Sequence, residues 1–202
     1  MKAYRDWIGS FASVVTIVSF VASLSMSRRV WKARNSSGVA LWPVASATIC
    51  LHAWMTYGSI VGDLIMMWVN AIGFVLMGFN LAVHRRFSHT TGPGLATVAA
   101  IGLVSAVPLM MSVAWLRRMA LLWTVICNLA PIQRIVLTMP LPDIAAWTMI
   151  NCTLWTVHAF LQGDVALIMT NLFGAEVAFV EVVMAIWRKL CCEVNRPIET
   201  VL

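Results

Sequence analysis

A chain of 202 residues that is 61% hydrophobic and only 11% charged is no ordinary soluble domain, in which about a quarter of residues carry charge. Its net charge of +6 reads as topology plus attraction to anionic lipid, not as a nucleic-acid footprint. Five cysteines (Cys50, Cys127, Cys152, Cys191, Cys192) form neither a zinc pattern nor a disulfide framework. Four histidines among few carboxylates cannot fill the histidine boxes of a di-iron membrane enzyme. The chain has no phosphate-cradling Gly-rich loop, so ATP-driven transport finds no support. No metal, cofactor or nucleotide is expected, and no nucleophile–base constellation marks an enzyme.

A bilayer span takes about 20 apolar residues, and the charged residues cut the chain into seven such runs. The first is Trp7 to Met26, ended by Arg28, Arg29, Lys32 and Arg34. Its basic start, Lys2 and Arg5, permits a signal peptide, but the run is longer than a signal core and lacks a small-residue cleavage site. The second span is Val39 to Ile60 and the third Leu64 to Val83, followed by Arg85 and Arg86. The fourth is about Leu95 to Leu116, stopping at Arg117 and Arg118. The fifth begins near Met119 and reaches Arg134, which must lie at the interface or snorkel there. The sixth runs from about Ile144 to Gln162 and the seventh from Val165 to Trp187, ended by Arg188 and Lys189. The short loops leave no room for a soluble domain.

Basic residues set the orientation. The side receiving the loops after spans one, three and five plus the C-terminus holds Arg28, Arg29, Lys32, Arg34, Arg85, Arg86, Arg134, Arg188, Lys189 and Arg196; the other holds Lys2, Arg5, Arg117 and Arg118. The excess puts the C-terminus in the cytosol and the N-terminus outside.

The chain repeats itself. A slide of 101 residues lays the second and third spans on the sixth and seventh: Trp54 meets Trp155, Gly62-Asp63 meets Gly163-Asp164, Asn70 meets Asn171, and Gly73 meets Gly174. The flanking apolar residues mostly do not match, so identity concentrates where hydrocarbon exposure cannot explain it. With four more residues of loop allowed, Leu24–Val30 aligns with Leu129–Ile135. Two three-helix repeats of equal orientation, residues 1–88 and 119–190, are then joined by a linker helix at 89–118, before a short cytosolic tail at 191–202. This is an all-α, 3+1+3 membrane architecture, which places substrate near the midplane between the repeats.

These motifs resemble the SWEET sugar transporters of the MtN3/saliva and PQ-loop group, the standing example of such parallel repeats. Lys32–Pro43 looks like the family's basic, Ser-containing loop leading to Leu-x-Pro, and Trp54-Met55-Thr56-Tyr57-Gly58 is similar to its second-helix motif. Val69–Gly73 resembles its third-helix Asn-Gly-x-Gly, and Pro131–Arg134 its proline-bearing fifth helix. Asn151–Trp155 is close to Asn-Gly-Thr-Leu-Trp, and Asn171–Gly174 to Asn-x-x-Gly. Departures are equally specific. Ser23, Ser25 and Met26 occupy the stretch of the first-helix proline, Pro140 and Pro142 flank the sixth-helix proline position, and Trp54 stands where some relatives carry a small residue.

The resemblance implies a facilitative sugar uniporter working by alternating access in the plasma membrane or the Golgi and endomembranes, in contact with lipid and open to homo-oligomer formation. Substrate would be held by Trp54, Asn70, Trp155 and Asn171. Amides both donate and accept, as sugar hydroxyls require, and indoles offer broad apolar faces with one N–H. Inter-helix hydrogen bonding is the competing role for the two Asn. Pro43, Pro131 and Pro142 are the candidate hinges. Asp63 and Asp164 read as helix caps. Glu176, near mid-bilayer by helical rise and facing Val75 in the repeat, is the candidate coupling group of an alternative, a proton-coupled PQ-loop carrier of amino acids or other small solutes. Glu181 is expected nearer the cytosolic end, neutralised by Arg188 or headgroups. The sequons at Asn35 and Asn151 lie on the cytosolic side and inside a helix, so neither suits glycosylation, and Cys191-Cys192 fits palmitoylation or free thiols.

Overall fold

Apolar runs of the expected length form helices, and charged or Gly-Asp punctuation ends them. The computed structural model describes residues 2–37, 39, 41–88, 112–137 and 142–194. Among these lie six helices: α1 (Lys2–Ala33), α2 (Leu41–Val61), α3 (Leu64–Arg86), α4 (Val113–Leu137), α5 (Pro142–Gln162) and α6 (Val165–Val194). In five of them, all but α4, a segment is long and apolar enough to cross a membrane, and the chain is a multi-pass helical membrane protein. Residues 95–111 of the expected fourth span lie outside the described residues. α4 begins at Val113, six residues before the expected Met119. Arg117 pairs with Asp164 at the first turn of α6, so the two arginines belong inside the start of α4 rather than between two helices.

The two Gly-Asp corners are built alike. Gly62 (φ 76°) and Gly163 (φ 72°) take left-handed conformations that end α2 and α5, a geometry glycine adopts without a Cβ penalty. Asp63 then accepts the Met66 amide at 2.9 Å and Asp164 the Leu167 amide at 3.1 Å. Both carboxylates cap the next helix, as the sequence indicated.

At the other, basic end, α1 stops at Arg34, a non-glycine residue at φ 51°. Its guanidinium lies over the rings of Trp31 and Phe87, 5.2 and 5.3 Å from their centroids. The Phe87 carbonyl accepts the Ser36 amide, and the Val39 carbonyl lies 2.8 Å from His84 Nε2. The loop into α2 is thereby tied to the end of α3.

Helices pack in the cyclic order α1–α3–α2–α4–α6–α5 and back to α1. Within each half the third helix lies between the other two; the halves meet along α1–α5 and α2–α4. Met26, Val44, Leu81 and Ile144 form a buried cluster towards the basic end, joining residues of α1, α2 and α3 to the first turn of α5.

Candidate functional site

Polar side chains in a lipid-embedded bundle must find partners inside it, and here they do so twice, in the same pattern. Trp54 of α2 donates its indole N–H to Thr124 Oγ1 of α4 at 2.7 Å. Trp155 of α5 donates to Thr16 Oγ1 of α1 at 2.9 Å. One turn before each Trp stands a second partner of the same threonine: Cys50 Sγ lies 3.6 Å from Thr124, and Asn151 Oδ1 2.6 Å from Thr16. The Thr16 proton goes to Asn151 or to the Ala12 carbonyl, 2.7 Å away; that of Thr124 is offered to Ala120 at 2.9 Å. One turn after each Trp comes an edge-on ring, Tyr57 at 5.8 Å and His158 at 5.3 Å. Each Trp therefore reaches across to the other half, and its N–H is spent on that joint; the ring faces are what remain for a solute.

Asn70 and Asn171 are equally matched. Each is half-buried and gives one amide hydrogen to the carbonyl four residues back, Met66 at 2.8 Å and Leu167 at 2.9 Å. Among the described residues, Oδ1 and the second amide hydrogen meet no protein partner. Both stand seven residues past a capping Asp, about 10 Å along the helix. None of the four sequence-selected residues bonds another directly.

These contacts revise one alignment. Thr16 and Thr124 are 108 positions apart, as are Phe20 and Asn128, which lie where a Cβ on Gly73 and on Gly174 would project. The register between α1 and α4 is thus 108, not the 105 that aligns Leu24–Val30 with Leu129–Ile135. Three residues make nearly one helical turn, so apolar periodicity alone cannot tell the two apart. Thr16, Thr124, Cys50 and Asn151 were not singled out as site residues in the sequence. The available signal was a polar residue four before Trp155, with Cys50 in the same place before Trp54.

The hinge candidates separate. Pro43 lies in the first turn of α2 and Pro142 is the first residue of α5, where proline forfeits no helical hydrogen bond. Of the three, Pro131 alone lies inside a helix.

Glu176 is exposed, 200° around α6 from Gly174, among the outward side chains Leu172, Phe179 and Val183. Glu181, expected nearer the cytosolic end beside Arg188 or headgroups, is fully buried, on the face that carries Gly174 and Ala178. At the Gly163-Asp164 corner, burial raises the Asp164 carboxyl, but the Leu167 amide and the Arg117 guanidinium outweigh it and hold it below its ordinary value. Among the described residues no three His, Cys, Asp or Glu are grouped to hold a metal ion.

Residues 6–91 match the family model described as the sugar efflux transporter for intercellular exchange, MtN3_slv. No curated protein matches the chain. A solved structure of a eukaryotic SWEET transporter superposes with a TM-score of 0.69 at 13% identity, covering 91% of this chain and 98% of that one. The SWEET (MtN3/saliva) resemblance read from the motifs therefore holds, by family model through the first three helices and by fold across nearly the whole chain.

Proposed function

We propose that the protein carries a neutral sugar down its gradient by alternating access, at a mid-membrane pocket between two three-helix repeats joined by a linker helix. The carrying observation is the doubled polar set: Asn70 with Asn171, Trp54 with Trp155, Thr16 with Thr124, and Cys50 with Asn151. No member bears a fixed charge. A polyol needs mixed donors and acceptors, and each Asn keeps an open Oδ1 and N–H, while the indoles present apolar faces to the C–H groups of a sugar ring. Charged amino acids would find no counter-ion in this set. The basic ends of α1, α3 and α6 face the cytosol in this reading, with the capped corners outside. The cluster of Met26, Val44, Leu81 and Ile144, drawn from both repeats, closes the pocket on the cytosolic side.

The test is a radiotracer panel of sugars and amino acids in proteoliposomes. Sugar uptake that stops at the outside concentration is expected. Asn70→Ala or Asn171→Ala should abolish most of it with expression intact, since each leaves sugar hydroxyls unpaired. Undiminished transport by either variant removes the pocket assignment. A proton-coupled carrier is the second reading, favoured by the fully buried carboxyl of Glu181.

A further inference from the structure

Exposed apolar side chains form one stripe on α1 and another on α3. On α1 it is Trp7, Phe11, Val14, Val18 and Val21; on α3 it is Leu64, Trp68, Ile72, Val75 and Phe79. Spacings of three and four keep each set on one helical face, and in a bundle surrounded by hydrocarbon that face is the one turned to lipid. Seven residues after Val21, nearly two turns further along the same face, stands the exposed Arg28. The lipid face of α1 therefore ends in a cation.

Arg28 borders a groove of about 230 Å³ between α1 and α3, lined otherwise by Leu24, Ser27, Trp31, Phe79 and Val83. The walls are apolar except for Ser27, whose hydroxyl proton is committed to Asn80, and they hold no carboxylate. Among the described residues the Arg28 guanidinium meets no hydrogen-bond, ion-pair or ring partner; Arg34, by contrast, is stacked over Trp31 and Phe87. The groove also has a direction. Phe20 lies against Gly73, Ser27 against Asn80 and Trp31 against Phe87, so α1 and α3 run the same way. Leu24 and Phe79 then lie towards the bilayer centre, and Arg28, Trp31 and Val83 towards the basic end. Phe79 and Val83 stand about 24 and 30 Å along α3 from its Asp63 cap, against a hydrocarbon thickness of about 30 Å. An apolar floor inside the hydrocarbon leads to a guanidinium and an indole at the interface. That is the polarity of a phospholipid.

We infer that this groove binds one anionic phospholipid from the leaflet at the basic end. The guanidinium takes the headgroup's anionic oxygens, which suit its planar fork of donors. The Trp31 indole sits at headgroup level, and an acyl chain lies over Leu24, Phe79 and Val83. A zwitterionic lipid brings a second cation beside Arg28, whereas an anionic one brings net charge complementary to it. The site lies on the outside of the bundle, apart from the pocket proposed for sugar.

Native mass spectrometry of the detergent-solubilised protein, offered equal phosphatidylserine and phosphatidylcholine with the same chains, tests this without any transport. The expected result is one tightly held lipid, predominantly phosphatidylserine. One interfacial Arg supports a preference of about fivefold, so Arg28→Gln should erase about that factor and Arg28→Lys should keep most of it. Lys189→Gln, which removes the same charge from an exposed position at the basic end of α6, should behave as the parent. Glycerol phosphate, a headgroup without chains, should not displace the lipid at millimolar concentration. No phosphatidylserine preference in the parent, or an equal fall in Lys189→Gln, overturns the site in favour of diffuse surface charge. Displacement by glycerol phosphate would make it a plain anion site. Oligomers lost in Arg28→Gln with the lipid ratio unchanged would make the groove a contact between copies. Either of these results also overturns the lipid assignment.

Discussion

A methyl group added at Gly174 tests the packing of α4 on α6. Its Cβ would stand 2.7 Å from Asn128 Nδ2, while that amide donates to the Thr170 carbonyl at 2.9 Å. Ordinary contact begins near 3.4 Å, so the amide must withdraw by about 0.7 Å. That takes its bond to Thr170 to or beyond the limit of a hydrogen bond. Overpacking costs about 1–3 kcal/mol, and an inter-helix hydrogen bond in a membrane about 0.6 kcal/mol. Alanine returns up to about 1 kcal/mol of helix propensity, which leaves Gly174→Ala destabilised by about 1–3 kcal/mol. Gly78 is the internal control, since a Cβ there meets nothing within 4 Å, and Gly78→Ala should be neutral or stabilising. Thermal unfolding of purified protein in one detergent, read by intrinsic Trp fluorescence, compares the three. Gly174→Ala melting with Gly78→Ala, at or above the parent, would refute the close α4–α6 contact.

Two other outcomes follow from the charges. The Asp164 carboxyl is held below its ordinary 3.8, so its stabilising contribution is complete above about pH 4 and is lost as the pH falls through its lower folded value. Asp164→Asn keeps a capping oxygen and gives up the pairing with Arg117; at a half-exposed pair this costs at most about 1 kcal/mol, and melts at pH 6 and pH 3 should show a smaller acid loss in the variant than in the parent. If the protein is a uniporter, Glu176→Gln and Glu181→Gln both leave accumulation at equilibrium whether or not a pH gradient is imposed. Gradient-driven accumulation above the outside concentration, abolished by Glu181→Gln, would establish proton coupling in its place.

Much of the fold was legible because hydrocarbon imposes two simple demands, long uncharged runs and charges between them. The observed bounds of α2, α3, α5 and α6 follow those runs closely at their capped ends. Gly62-Asp63 and Gly163-Asp164 are short corners whose chemistry is local, so residue identity alone fixed them. The start of α4 was not legible, because Arg117 and Arg118 look like a helix boundary until Asp164, distant in sequence, is known to receive the first of them. The Thr16–Trp155 and Thr124–Trp54 joints were hidden likewise. A threonine in a membrane helix can satisfy itself on its own i−4 carbonyl, as Thr48, Thr56 and Thr148 do here, and nothing in the sequence marks which ones also serve another helix.

The two glutamates of α6 show how depth and direction part company. Sequence measures depth well, since each residue adds about 1.5 Å, and by depth Glu176 is the intramembrane carboxylate. Direction depends on which face packs. Gly174 against Asn128 and the buried Ala178 fix that face, and Glu181 falls on it while Glu176 falls opposite. An outward carboxylate such as Glu176 is exposed on the side of α6 away from Gly174 and Ala178. An inward one lies where α4 and α6 pack. Glu181 stands 101 positions after the buried Asn80, so the two third helices bury an acid and an amide at matching places, a difference that the sequence shows only once the packed face is known.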